Sequence, residues 1–196
     1  AQPELVAKCY SEMQSSVDVP VTVKTRIGID DQDSDEFFMR FVDTIAAAGC
    51  RNFIVHARIA ILEGLSPKEN RSVPPLNYER VYRLKETHPE LEIVINGGIT
   101  ATEHVDAVRQ HVDGVMIGRE AYQNPWLLAK VDASFFAMDN PAASRDDVVA
   151  ALLPYVEQQL ASGVHLNHIT RHILGLYQGV PGARKFRRHL SENAYK

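Results

Sequence analysis

The chain has 196 residues, of which 45% are hydrophobic and 23% charged, and its formal net charge is −4. This composition is typical of a globular protein and excludes extensive disorder. No apolar run is long enough to span a membrane and no signal-peptide pattern is present, so we expect a cytoplasmic protein.

The distribution of charge and the two cysteines further limit the kinds of partner and site that the sequence predicts. Residues 171–196 contain six Lys or Arg residues and a single acid, an excess that favours an anionic partner. Cys9 and Cys50 lack the spacing of metal ligands, so we expect no metal site and predict that both are small buried residues on helix faces.

The first part of the chain alternates between strand and helix patterns. The predicted strands cover residues 19–26, 52–58, 91–95 and 114–117. The predicted helices cover residues 4–15, 33–49, 78–85 and 102–112, the second beginning with a capping box at residues 33–36. The loop over residues 65–76 is long enough to indicate a functional loop.

Helical patterns alone follow residue 119. They predict helices over residues 120–132, 144–161, 165–175 and 183–195. A polar break over residues 139–144 predicts a domain boundary, with residues 1–138 as an α/β domain and residues 139–196 as a helical domain.

Strand–helix units that repeat about every thirty residues are typical of a parallel sheet. A complete (β/α)8 barrel needs eight units and about 250 residues, so four units are half of one. We therefore predict an α/β fold: the C-terminal half of a TIM barrel followed by an all-helical domain. Because such a half has two unpaired sheet edges, we expect it to be unstable alone.

Two apolar runs stop at glycines, one before Asn96-Gly97-Gly98 and the other before Gly118-Arg119. Glycine allows backbone to approach a ligand closely, and the loops after strands 7 and 8 of barrels commonly bind phosphate. The pair predicts a phosphate site, although ordinary turns would explain either run alone.

Lys24 and His56 lie near the ends of two other predicted strands. In one pocket with a phosphate site, they could hold a phosphorylated planar cofactor by its polar ring edge. Taken singly, a solvated lysine and a structural histidine are the more common interpretations.

Four motifs, in this order and spacing, resemble the flavin barrel of the tRNA-dihydrouridine synthases. They are Val23–Gly28, Val55–Arg58, Ile95–Ile99 and Ile117–Ala121. The loop over residues 65–76 and the segments 168–172 and 181–184 resemble subfamily A, which acts on positions 20 and 20a of the tRNA D-loop. The resemblance extends over nearly the whole chain.

The resemblance implies FMN-dependent reduction of a tRNA uridine to 5,6-dihydrouridine, with NADPH as the reductant. Hydride would pass from flavin N5 to uracil C6, and a cysteine would protonate C5. The FMN-binding residues that it implies are Lys24, His56, Asn96, Gly97, Gly98, Gly118 and Arg119. The tRNA-binding residues that it implies are Lys68, Arg71, Arg184 and Arg187, for which solvated surface charge is the alternative.

One element of the family pattern has no counterpart in the sequence. Neither Cys9 nor Cys50 matches the motif of the proton-donor cysteine, which we expect upstream of Ala1. We therefore expect this chain to be a fragment that is inactive alone, and the full-length protein to be a monomer.

Other functions stay open at this stage. Another FMN-dependent barrel, such as a dihydroorotate dehydrogenase, or a sugar-phosphate barrel would share the phosphate site, and fold-level similarity does not separate them. The basic helical tail favours an enzyme that acts on RNA. An RNA-binding remnant without catalysis is a further alternative, which the retained flavin residues disfavour, and a scaffolding role has no positive support.

Overall fold

A computed structural model describes residues 2–195. The chain divides into two compact units, Ala1–Ile117 and Gly118–Lys196. The change from α/β to helical structure therefore comes before the polar break at residues 139–144. A functional boundary at residues 138/139 stays a prediction.

The first unit contains a four-stranded sheet and four α-helices among its described residues. The strands are β1 (Val23–Arg26), β2 (Asn52–His56), β3 (Glu92–Asn96) and β4 (Gly114–Met116). The helices are α1 (Pro3–Ser15), α2 (Asp35–Ala47), α3 (Tyr78–Thr87) and α4 (Thr102–Val108). All neighbouring strands pair in parallel and in sequence order, which confirms the predicted α/β class and parallel sheet.

One face of the sheet forms the core of this unit. Phe53, Val55, Ile93 and Ile95 are fully buried, as are large side chains from α2 and α3. Because side chains alternate along a strand, the intervening residues of β2 and β3 occupy the opposite face, where they are only partly buried. Three of the candidate site residues, Lys24, His56 and Asn96, lie on this second face.

β1 is shorter than predicted, because it begins at Val23 and not at residue 19. The amide of Gln14 on α1 donates to the carbonyl of Val19 at 3.1 Å, and its oxygen accepts from the Val21 N–H at 2.9 Å. The backbone before Val23 is thus hydrogen-bonded to a helix side chain, and Pro20 has no N–H that could donate to a neighbouring strand.

α2 and α4 also differ from the predicted helices. Ser34 is the N-cap of α2 and accepts from the Phe37 N–H, so the capping box predicted at residues 33–36 is wrong. α4 ends at Val108 and continues as turns, not as a helix to residue 112.

The expectation for the cysteines is half correct. Cys50 is buried, but it follows α2 and lies just before β2, whereas Cys9 on α1 is exposed. The helical pattern of residues 4–15 therefore did not identify which face of α1 is covered.

The second unit contains helices and turns but no strand among its described residues. Its helices are α5 (Arg119–Gln123), α6 (Val131–Phe135), α7 (Arg145–Ala161), α8 (Leu166–Thr170) and α9 (Ala183–Asn193), with a 3-10 helix at Pro125–Lys130. The helical segment predicted over residues 120–132 is interrupted at Asn124 and divides into α5, the 3-10 helix and α6. Pro125 lacks an N–H and disfavours helical backbone at Asn124, whose φ of −141° and ψ of 65° end α5.

The structure predicts a large stability effect at Phe53. Phe53→Ala removes a ring that is 0% exposed, and we expect the free energy of unfolding to fall by about 3–5 kcal/mol. Leu62→Ala is the matched control, because Leu62 is 66% exposed and its truncation should change the free energy by less than about 0.5 kcal/mol. Urea unfolding followed by circular dichroism measures both, and equal losses would contradict the assignment of the core.

Candidate functional site

The parallel register brings polar side chains to one level at the carboxyl edge of the sheet. Arg26 pairs with His56, His56 with Asn96 and Asn96 with Met116, so these four residues form one row across the strands. In parallel sheets this edge is where ligands bind. The row is the starting point of the candidate site.

Lys24 and Asn96 form a polar pair on the partly buried face. The Lys24 Nζ donates to the Asn96 Oδ1 at 3.4 Å, and the Asn96 Nδ2 donates to the Met116 carbonyl at 2.8 Å. These contacts orient the amide with its oxygen toward the ammonium group. Partial burial, followed by the charge of Arg26, lowers the pKa of Lys24, because both disfavour its charged form. An anion nearby would stabilise that charged form.

The turn after Asn96 has backbone that only glycine adopts easily. Gly97 and Gly98 have φ values of +119° and +70°. A Cβ on Gly97 would lie 2.7 Å from the His56 Cδ2, so the ring packs directly on this backbone. The Tyr78 hydroxyl donates to the Gly97 carbonyl at 2.5 Å. Burial raises the pKa of Tyr78, which keeps this donor protonated.

The long loop between β2 and α3 is fastened by arginine side chains. The Arg26 Nη1 donates to the carbonyls of Ile59 at 2.7 Å and Asn70 at 2.8 Å, and Arg58 donates to the carbonyl of Pro74. The loop therefore has a defined backbone path despite its length. Burial, then the charges of Arg71 and Arg58, lowers the pKa of Arg26.

The structure brings together the predicted residues of the first unit, Lys24, His56, Asn96, Gly97 and Gly98, at or beside the row. Gly118 and Arg119 belong to the second unit, as the N-cap and first residue of α5. Lys68 and Arg71 lie exposed in the long loop, and Arg184 and Arg187 lie exposed on α9. Their roles stay predictions.

Three residues that shape this site, Arg26, Arg58 and Tyr78, were not among the predicted site residues. Arg26 was identifiable, because it lies two residues after Lys24 and therefore on the same face of a strand. The same spacing holds for Arg58, two residues after His56, whereas Tyr78 gave no such signal, since its role depends on where the loop returns to the sheet. Among residues 2–195, no group of three or more potential metal ligands occurs.

No α-helix within residues 2–195 is long and apolar enough to cross a membrane.

Two glycines allow the contact between Gly97 and His56 to be tested. Gly64→Ala and Gly97→Ala both place a side chain at positive φ, which costs about 1–3 kcal/mol. Only Gly97→Ala also collides with a neighbour, because nothing lies within 4 Å of a Cβ at Gly64. We expect Gly97→Ala to be the more destabilising and to shift the NMR signals of the His56 ring. An unmoved ring would contradict this packing.

Comparison with known proteins gives a match over the whole chain. The model of the family described as dihydrouridine synthase (Dus) matches residues 1–196. Curated relatives named tRNA-dihydrouridine(20/20a) synthase are 60% identical in Shewanella oneidensis, 56% in Vibrio cholerae and 57% in Escherichia coli K12.

The matches cover nearly all of this chain but only part of each relative. They include 100% of the chain for the first two relatives and 98% for the third. The covered shares of the relatives are 58%, 60% and 56%, so the chain spans less than two thirds of their length. The similarity is high and continuous, and the chain belongs to the dihydrouridine synthase family.

Proposed function

We propose that this chain is part of an enzyme that reduces uridine in tRNA to 5,6-dihydrouridine. The names of its relatives support this activity and positions 20 and 20a of tRNA as the target. We also propose that the α/β unit is the C-terminal half of a TIM barrel. The four parallel strands in sequence order support that architecture.

The cofactor that we propose is FMN, with NADPH as its reductant. Bound FMN would supply the hydride that passes from its N5 atom to C6 of the uracil. One observation carries the assignment: the Lys24 ammonium, the Asn96 amide and His56 meet at the carboxyl edge of the sheet. Together they offer hydrogen-bond donors and acceptors to the polar edge of a flavin ring.

The glycine turn fits a cofactor with a phosphate tail. Side chains at Gly97 and Gly98 would collide with His56 and Leu76, so only glycines let this turn lie close to the row. We propose that Gly97 and Gly98, together with Gly118 and Arg119, hold the phosphate end. An arginine and backbone amides are the donors that phosphate groups prefer.

The RNA contacts that we propose are Lys68 and Arg71 in the long loop and Arg184 and Arg187 on α9. The fastening of the loop by Arg26 and Arg58 supports a role for the first two, because it holds them on a defined backbone. Exposed arginines on one helix suit an RNA backbone, whose phosphates dominate affinity. The proton donor stays unassigned, since Cys50 is buried, Cys9 lies exposed on α1, and neither matches the motif of the family's proton-donor cysteine.

The flavin assignment is tested by Lys24→Met, which removes the charge and keeps most of the side chain's volume. We expect FMN affinity to fall by about tenfold, from the loss of one charged hydrogen bond. Lys8→Met is the matched control, because Lys8 lies exposed on α1 and should leave the affinity unchanged. The measurement is the change in flavin fluorescence or visible absorbance on titration. Equal affinities for Lys24→Met and the unmodified chain would reject the assignment.

The RNA assignment is tested by the double variant Arg184→Ala and Arg187→Ala. Removing two phosphate contacts should weaken tRNA binding and lower the slope of log K against log salt by about two. FMN affinity should stay the same, because neither side chain belongs to the proposed flavin site. Fluorescence anisotropy with a labelled tRNA transcript measures the binding, and parallel loss of tRNA and FMN affinity would instead indicate misfolding.

A further inference from the structure

The helical unit contains a cavity in which Arg187 is the one predicted site residue. It has a volume of about 390 Å³, within the range of ligand-binding pockets. Three segments form its walls: the end of α5, the turns after α8, and α9. Its lining residues include Tyr122, Arg171, His172, Gln178 and Arg187.

Close backbone packing holds two of these walls together. A Cβ on Gly175 would lie 2.1 Å from the carbonyl oxygen of Gln123, so only glycine permits the approach of the two segments. The rings of Tyr122 and His172 meet edge to face, with centroids 5.9 Å apart. The cavity is therefore a built feature of this unit.

A chain of hydrogen bonds with a fixed direction runs along the cavity. The Arg171 Nε lies 3.1 Å from the His172 Nε2, and because arginine only donates, this nitrogen must accept. His172 then carries its proton on Nδ1 and donates to the Tyr122 hydroxyl oxygen at 2.8 Å. The Tyr122 proton is left to donate to a ligand.

Gln178 and Arg187 add further donors to the lining of the cavity. The Arg187 Nη1 donates to the Gln178 Oε1 at 2.8 Å, which leaves the Gln178 NH2 group as a donor. Glu120 is the one acidic lining residue, and its Oε1 accepts from the Asn124 amide at 3.1 Å. Among residues 2–195, the terminal nitrogens of Arg171 have no protein hydrogen-bond partner, so its planar fork is available.

We propose that this cavity binds a backbone phosphate of RNA, with Arg171, Tyr122 and Gln178 as donors beside Arg187. A phosphodiester presents two charged oxygens and no donor, which matches the donors that Arg171, Tyr122 and Gln178 offer, while the Glu120 carboxylate is hydrogen-bonded to Asn124. The assignment rests on the proposed function, because it takes the anion to be a phosphate of tRNA. It adds Arg171, His172 and Tyr122, none of which was among the predicted RNA-binding residues.

The test compares Arg171→Gln with the unmodified chain in binding to a labelled, unmodified tRNA transcript at several salt concentrations. We expect Arg171→Gln to weaken binding about tenfold and to lower the salt slope by about one. Arg171→Lys keeps the charge but not the fork, so it should restore the slope and only part of the affinity. Arg40→Gln, which removes an exposed charge on α2, is the matched control and should change neither quantity.

The role of Tyr122 has a separate test. Tyr122→Phe removes the hydroxyl donor at the end of the series of hydrogen bonds but removes no charge. The tRNA affinity should therefore fall about threefold, with an unchanged salt slope. A near-ultraviolet circular dichroism spectrum of each variant establishes that the fold is intact. If Arg171→Gln is unfolded, Arg171→Lys is compared with the unmodified chain instead. Because the lysine keeps the charge, a salt slope lowered by Arg171→Lys would overturn the proposal.

Each outcome distinguishes this proposal from the proposed function. Weaker tRNA binding by Arg184→Ala, with unchanged binding by Arg171→Gln, would overturn the cavity assignment alone. A second outcome would also overturn the cavity assignment. If Arg171→Gln abolished the binding of millimolar inorganic phosphate but left tRNA affinity unchanged, the cavity would be a site for a free anion and not for RNA. Absence of tRNA binding by the folded, unmodified chain would overturn both proposals.

Discussion

The parallel register of the four strands is the constraint on which the first unit depends. Because Arg26, His56, Asn96 and Met116 pair in one row, side chains far apart in sequence reach the same edge. The buried face of the sheet fixes that register, since a slip of one residue would move Phe53, Val55, Ile93 and Ile95 out of the core. Hydrophobic burial on one face thus positions the polar chemistry on the other.

The sequence predicted this arrangement well because alternation within strands is a local property. The apolar runs located β2, β3 and β4 to within two residues, and the polar residues at their ends followed from the same pattern. The sequence was less informative where contacts are distant. The start of β1 depends on Gln14 of α1, and the path of the long loop depends on Arg26 and Arg58, which no local pattern reveals.

The helical unit was harder to predict because its helices are short and interrupted. Apolar periodicity continues through residues 120–132 and 165–175, but α5 ends before Pro125 and α8 ends at Thr170. Proline accounts for the first interruption through its missing N–H. Helix propensity does not explain the second interruption, because Leu174 and Leu176 are good helix formers. It coincides with the close approach of Gly175 to Gln123, which is a tertiary contact.

These two interruptions create the cavity. Had α8 continued to residue 175 as the sequence predicts, His172 and Gly175 would lie on a regular helix surface, and their contacts with Tyr122 and Gln123 would not form a concave wall. Departures from local preference are expected where tertiary structure or function requires them. The ordered direction of the bonds from Arg171 through His172 to Tyr122 gives this departure a chemical meaning: the broken helices assemble donors around a space that suits an anion.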